Sequence, residues 1–353
     1  MMKKLLKGAA VLIGAAAVLV VGLVVFLTVT EFKPEDRETA SFVITDKVTT
    51  EASVDQEFTV FSWNTGYGGL GEESDFFMDG GEMVNPPSQE IVEKNMDGIV
   101  SYMKSQDADA WLLQEVDQNS SRTDGVAQYE LYRSELAGNG AYAYNYKCAF
   151  VPIPVPPMGR VESGIATITQ YAMDSDAVRI SLPCPFSWPT SAANLKRCLL
   201  VTRTPLEGSD KELVYVNLHL EAYDDGEGKI AQTKLLMEVL QAEYEKGNYV
   251  IAGGDFNQTF PGALENYPVA DEEKWTPGTL ETSILPEGWE FACDTETATC
   301  RLLDQPYCED CQLYVIDGFI VSPNVNVESV ETVDLDFQFS DHNPVKLQFT
   351  LNS

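Results

Sequence analysis

Residues 249–257 read Tyr249-Val-Ile-Ala-Gly-Gly-Asp255-Phe-Asn257. A short apolar run rich in β-branched residues and closed by two glycines has the composition of a buried strand that stops at a polar turn. That turn delivers a carboxylate and a carboxamide to the strand's end. The pattern recurs along the chain. Phe58-Thr-Val-Phe-Ser-Trp63 leads to Asn64, Ala110-Trp-Leu-Leu113 leads to Gln114 and Glu115, and His219 follows Leu213-Val-Tyr-Val-Asn-Leu218. Leu313-Tyr-Val-Ile316 is read as a strand ended by Asp317, Gly164-Ile-Ala-Thr-Ile168 is another burst, and Ser340-Asp-His-Asn343 lies near the C-terminus. Between them, apolar residues recur at three and four over Gln89–Lys104 and Ile230–Lys246. Strands alternating with helices predict an α/β layered fold.

The residues at these strand ends are carboxylates, carboxamides and imidazoles. A hard, oxygen-ligated cation and a phosphoryl group need this donor set. The chain has only two histidines, His219 and His342, and both fall in these patches. Taken singly, each reads more readily as a satisfied structural residue. Together they are a pair able to give and take a proton near neutral pH, at the two ends of a phosphoester displacement.

The motifs Ser-Trp-Asn64, Gln-Glu115, Asn-Leu-His219, Gly-Asp255-Phe-Asn257, Ile-Asp317 and Ser-Asp341-His342 occur in an order that resembles the endonuclease/exonuclease/phosphatase superfamily. The likeness covers roughly Phe58 to Leu351. That superfamily includes pancreatic deoxyribonuclease, abasic-site endonucleases, neutral sphingomyelinases and inositol-polyphosphate phosphatases. The resemblance implies a four-layer α/β sandwich, two packed mixed β-sheets flanked by helices, with the site at one end. It also implies Mg²⁺, with Mn²⁺ as a substitute, held chiefly by Glu115 with Asn64 and Asp341 close by. Asp255 and Asn257 would hold the attacking water and a phosphoryl oxygen. His342, oriented by Asp317, would act as general base or phosphate contact, and His219 would stabilise or protonate the leaving oxygen. Glu162 is the expected carboxylate brace for His219, and Tyr171 is either a phosphate contact or a core tyrosine. Abasic-site endonucleases carry an acidic residue two places after the asparagine, where this chain has Gly66. The segment Gly66-Tyr-Gly-Gly-Leu-Gly71 reads as a flexible turn ahead of an anion-binding loop.

Outward from these motifs, the composition bounds the function. The chain's 353 residues, 44% of them apolar, can bury a large core. Asp plus Glu number 55 against 23 Lys plus Arg, a formal net charge of -32, which repels polyanions and disfavours a non-specific grip on nucleic acid. Lys3, Lys4 and Lys7 precede Gly8–Val29, 22 residues without a charge. At about 1.5 Å each they span a hydrocarbon core of roughly 30 Å. An uncleaved single-pass membrane anchor is favoured over a signal peptide, and the N-terminal lysines place the following domain outside the cell. Residues 1–7 read as a basic cytoplasmic tail, 8–29 as the span, 30–53 as a polar tether and 54–353 as the catalytic domain. Val151-Pro-Ile-Pro-Val-Pro-Pro157 reads as an extended loop. Seven cysteines allow local disulfides, such as Cys293 with Cys300 and Cys184 with Cys198, in preference to zinc at Cys308 and Cys311.

The expected function is Mg²⁺-dependent hydrolysis of a phosphoester by in-line attack of water. A lipid headgroup or small phosphodiester ranks ahead of a phosphomonoester, and nucleic acid ranks third. An extracellular nuclease and a non-catalytic surface binding module on the same fold are the alternatives, and protein partners stay open.

Overall fold

The computed structural model describes residues 2–224 and 226–352. Two seven-stranded mixed sheets pack face to face. In the first, the strand order is Val325–Thr332, Val345–Leu351, Glu57–Asn64, Ala110–Asp117, Gly159–Thr169, Asn139–Val151 and Ser41–Val43. In the second it is Arg37–Thr39, Val178–Ser181, Cys198–Pro205, Glu212–His219, Tyr249–Asp255, Asp317–Val321 and Glu290–Ala292.

Period-two alternation sorts the apolar bursts between two faces. Phe58, Val60, Ala110 and Leu112 point inward, against Leu213, Tyr215, Ile251 and Phe319 of the facing sheet. The residues between them, Phe61, Trp63, Trp111 and Leu113, point outward under the helix Gln89–Ser105, against Ile99 and Met103. On the far side, Leu236 and Leu240 of the helix Glu227–Tyr244 cover Val214, Val216 and Val250. The result is four layers.

Register then gathers the polar strand ends. The parallel pair Glu57–Asn64 and Ala110–Asp117 sets Asn64 beside Gln114. In the second sheet, Asp255 lies opposite His219 on one side and Asp317 on the other. Gln114 Nε2 donates to Asn217 Oδ1 at 2.8 Å, which ties the two sheets together beneath this edge. Asp317 does not end the strand before it, as expected, but begins the strand Asp317–Val321. Its apolar run continues through Phe319-Ile-Val321, and antiparallel pairing still brings it to Asp255.

Residues 30–53 are not a free tether. Arg37–Thr39 adds an edge strand to the second sheet by pairing with Val178–Ile180, and Ser41–Val43 adds one to the first by pairing with Gly140–Tyr142. Ala52 bridges to Leu206. The N-terminal helix spans Met2–Val29 and is long and apolar enough to cross a membrane. All seven cysteines are free thiols, so the expected disulfides are absent, and Cys308 and Cys311 place their sulfurs 3.1 Å apart.

Candidate active site

Asn64, Glu115, His219, Asp255, Asn257, Asp341 and His342 all line one cavity of about 340 Å³, or, for Asn64, bond to residues that do. Asp255 is the hub. Its Oδ2 accepts from Asn64 Nδ2 at 3.0 Å and lies 3.3 Å from His219 Nε2 and 3.7 Å from His342 Nε2. Asn64 Nδ2 also reaches Glu115 Oε1 at 3.4 Å. His342 Nδ1 meets Asp317 Oδ2 at 2.8 Å, which fixes the imidazole and aims Nε2 at the cavity. Asn257 donates its backbone N–H to Asp255 Oδ1 and one amide hydrogen to the Leu220 carbonyl, both at 2.9 Å.

Glu115 (φ 54°) and Asn257 (φ 50°) hold left-handed backbone conformations. Such conformations cost energy in residues with a Cβ and persist where surrounding structure enforces them, often at functional sites. The bulge after Leu113 in the strand carrying Glu115 accompanies the first of these, turning the carboxylate into the cavity.

The two imidazoles are driven apart. Burial works against the His342 cation, but Asp317, Cys300 and Asp341 outweigh it and raise its pKa well above the ordinary value. His219 is pushed well below its ordinary value by burial, then by Arg197 and His342. These directions favour the proton on His342 and a neutral imidazole at His219. Burial and Asp317 push Asp255 up to about 7. Asp341 rises to about 6, through burial with Glu115 adding to the effect and His342 opposing it.

Carboxylates so short of compensating positive charge fit a divalent cation. Glu115 and Asp341 would hold it through carboxylate oxygens; Asn64, the third expected ligand, turns its Nδ2 to this cluster and its Oδ1 to the Gly66 N–H. Asp255, Asp317 and His342 also bring ligand atoms within 4.8 Å of one another. In that trio His342 Nδ1 is already engaged by Asp317 at 2.8 Å.

Two expected residues do not reach the site. Glu162 accepts from the Tyr144 hydroxyl at 3.3 Å and makes no contact with His219. Strand alternation is the cause: its neighbour Ser163 lines the cavity, so Glu162 faces the other way. Tyr171 packs edge-on against Phe58 and its hydroxyl accepts from Gln56. The strand Gly159–Thr169 runs antiparallel to Ala110–Asp117, pairing Thr169 with Ala110, five residues upstream of Glu115. At about 3.3 Å per residue, Thr169 is displaced roughly 17 Å from Glu115 along the strands, and Tyr171 lies beyond it, at the opposite end.

Other residues were missed. Ser340 Oγ donates to the Asn64 carbonyl at 2.8 Å and accepts the His342 N–H at 3.2 Å, holding the loop of Asp341 against the strand of Asn64. Arg122 is gripped by both oxygens of Asp117 and lies 3.4 Å over the Tyr67 ring, at the cavity wall. Ser340 was visible inside its motif, whereas nothing local marks Arg122, whose position depends on a ring far away in sequence. The Gly66–Gly71 segment is buried throughout, and is a fitted wall of the site, not a flexible turn. A Cβ at Gly66 would stand 2.8 Å from Asp341 Oδ1. In this chain that space belongs to the carboxylate from the C-terminal motif.

Residues 61–342 match the Endonuclease/Exonuclease/phosphatase family. No curated protein matches in sequence. Among solved structures, the endonuclease/exonuclease/phosphatase from Beutenbergia cavernae DSM 12333 superposes with a TM-score of 0.60 at 15% identity, over 84% of this chain and 72% of that one. The endonuclease/exonuclease/phosphatase from Bacteroides vulgatus gives 0.53 at 17% identity, over 84% of this chain and 100% of that one. A family protein from Bacteroides thetaiotaomicron gives 0.52 at 15%, over 84% and 99%. These likenesses carry the fold, and the match along the sequence carries the family. With that match spanning most of the chain and the acid and imidazole side chains gathered in one cavity, the chain belongs to the endonuclease/exonuclease/phosphatase family and is a metal-dependent phosphoric ester hydrolase.

Proposed function

We propose that the chain is a Mg²⁺-dependent phosphodiesterase acting on a lipid headgroup or a small phosphodiester. The observation that carries this reading is the lining of the cavity. Beside the acids and imidazoles stand Phe76, Phe77, Met78, Met158 and Phe186, while no lysine lines it among the described residues. Its arginines are tied to protein acceptors. Arg122 is held by Asp117, Arg197 by Glu221 and the His219 carbonyl, and Arg301 by the Gly71 and Ser74 carbonyls. A nuclease needs free cations for successive phosphates, whereas an apolar wall suits an ester with a hydrocarbon portion.

The bound cation would neutralise non-bridging oxygens of the phosphoryl group. Asp255, with a pKa near the working pH, accepts the proton of the attacking water. His342, charged and fixed by Asp317, holds a phosphoryl oxygen from Nε2, and Asn257 and Asn64 orient the group. His219 stabilises the leaving oxygen. A resident anchor would also raise the local concentration of lipid esters, which free nucleic acid does not share.

The test compares kcat/KM for vesicle phospholipid, bis(p-nitrophenyl) phosphate, p-nitrophenyl phosphate and duplex DNA, at fixed Mg²⁺ and ionic strength, with EDTA controls. The expected order is diesters first, monoester next and DNA last. A preference for DNA would overturn the substrate assignment and leave the hydrolase standing.

A further inference from the structure

The N-terminal helix does not leave the domain freely. Leu27 is 8% exposed, and with the half-buried Leu23 it packs into a cluster containing Val84, Val151, Met158 and Ala192. Thr28 Oγ1 accepts from Trp188 Nε1 at 3.0 Å, Glu31 pairs with Lys196 at 3.0 Å, and the Phe32 ring meets Tyr144. Leu23 lies six residues before Val29, about 9 Å along the helix axis. If the helix spans a bilayer, domain surface touching Leu23 lies within the headgroup layer or at the edge of the hydrocarbon.

Val151 and Met158, both in that cluster, are the two ends of the proline loop. Between them Ile153 is 75% exposed and Val155 is 89% exposed, and nearby Trp188 is 61% exposed with its indole nitrogen on the helix. Solvent exposure of three large apolar side chains beside the end of an apolar helix is unfavourable in water and favourable at a bilayer interface, where Trp is at home. The same loop forms the cavity mouth, since Val151, Ile153 and Met158 also line the site.

We propose that Val155, Ile153 and Trp188 form a bilayer-docking surface, continuous with the docked end of the N-terminal helix, through which the cavity takes a zwitterionic phospholipid directly from the leaflet. The net charge of -32 disfavours anionic surfaces and selects a neutral one. The surface deepens the lipid reading given above and rests on it for the substrate, but bilayer contact itself can be measured without turnover.

The experiment places the full chain in phosphatidylcholine vesicles containing phosphatidylcholine brominated on the acyl chain near the headgroup, and reads tryptophan fluorescence. Trp63, Trp111 and Trp289 are buried and Trp275 is half-buried inside the cavity, so Trp188, 61% exposed, should carry most of the quenching. Trp188→Phe should remove more than half of the quenched signal. Val155→Asp should lower vesicle-phospholipid turnover at least fivefold and leave bis(p-nitrophenyl) phosphate turnover unchanged. Quenching that survives in Trp188→Phe, or no quenching at all, would overturn the surface, as would equal loss or no loss of both activities in Val155→Asp. Quenching by Trp188 with no phospholipid turnover by the parent protein would support the surface and refute the lipid substrate.

Discussion

Gly66 shows how closely single atoms define the site. Its φ is +50°, and an added Cβ would meet Asp341 Oδ1 at 2.8 Å and Ser340 Oγ at 3.1 Å. Gly66→Ala is expected to raise the Mg²⁺ concentration for half-maximal activity about tenfold, with a backbone cost of about 1 kcal/mol in stability. A metal titration with a melting curve measures both. Glu115→Gln should abolish turnover at limiting Mg²⁺ and recover in part at high Mg²⁺, since it removes a charge and almost no volume; full activity at limiting metal would reject the ligand role. Asp317→Asn acts through His342: without the carboxylate, burial prevails and the imidazolium loses its proton at lower pH. Turnover should fall on the order of 100-fold, and the alkaline limb of the pH profile should move down. Asn64, Glu115, His219 and Asp255 were legible because each follows an apolar burst that stops at the same edge, and His342 because its Ser340-Asp-His motif completes the ordered set. Glu162 was misread because neighbouring positions on a strand face opposite ways, and sequence alone did not say which faced the cavity. Tyr171 was misread because strand direction is a property of the sheet.

The same reasoning extends to elements. The long bursts announced the central strands, and the three-and-four spacing announced the helices at Gln89–Ser105 and Glu227–Tyr244. The two three-residue strands at Arg37–Thr39 and Ser41–Val43 were not legible, because three residues carry almost no periodicity and take their stability from the sheet they join. They are nonetheless integral. Ala40 is buried, Ala52 is fully buried, and Asn139 accepts from the Thr45 N–H while donating to the Val48 carbonyl. A chain starting at residue 54 therefore strips an edge strand from each sheet, whereas one starting at residue 30 keeps both. The shorter form is expected to melt at least ~5 °C lower, the scale of a few kcal/mol in a large domain. Calorimetry of the two truncations checks this, and equal melting temperatures would restore the tether reading.

Across the whole molecule, buried acids couple stability to pH. The folded pKa values of Asp79, Asp255 and Asp341 rise to about 6, 7 and 6, chiefly through burial. Between the ordinary carboxylate range and those values the folded state binds more protons than the unfolded chain, so stability falls as pH rises through that window. His342, raised, continues the fall above its ordinary value, and His219, lowered, opposes it below. The metal-free protein should thus melt higher near about pH 5 than near about pH 7, and Mg²⁺ should restore more at the higher pH, where it replaces protons in the carboxylate cluster. Repulsion within a chain of net charge -32 has the same sign, so the difference in Mg²⁺ gain is the deciding readout. The stapling of residues 30–53 has one more consequence. As a free coil those 24 residues would give a root-mean-square reach of roughly 25–30 Å, and paired into both sheets they give almost none. If the helix spans a bilayer and the substrate is a lipid, as proposed, a domain so mounted would search in two dimensions at fixed height. Its velocity would then follow the mole fraction of substrate in its own leaflet and the lateral diffusion of lipids past it, and diluting the substrate with inert lipid would slow it at constant bulk concentration.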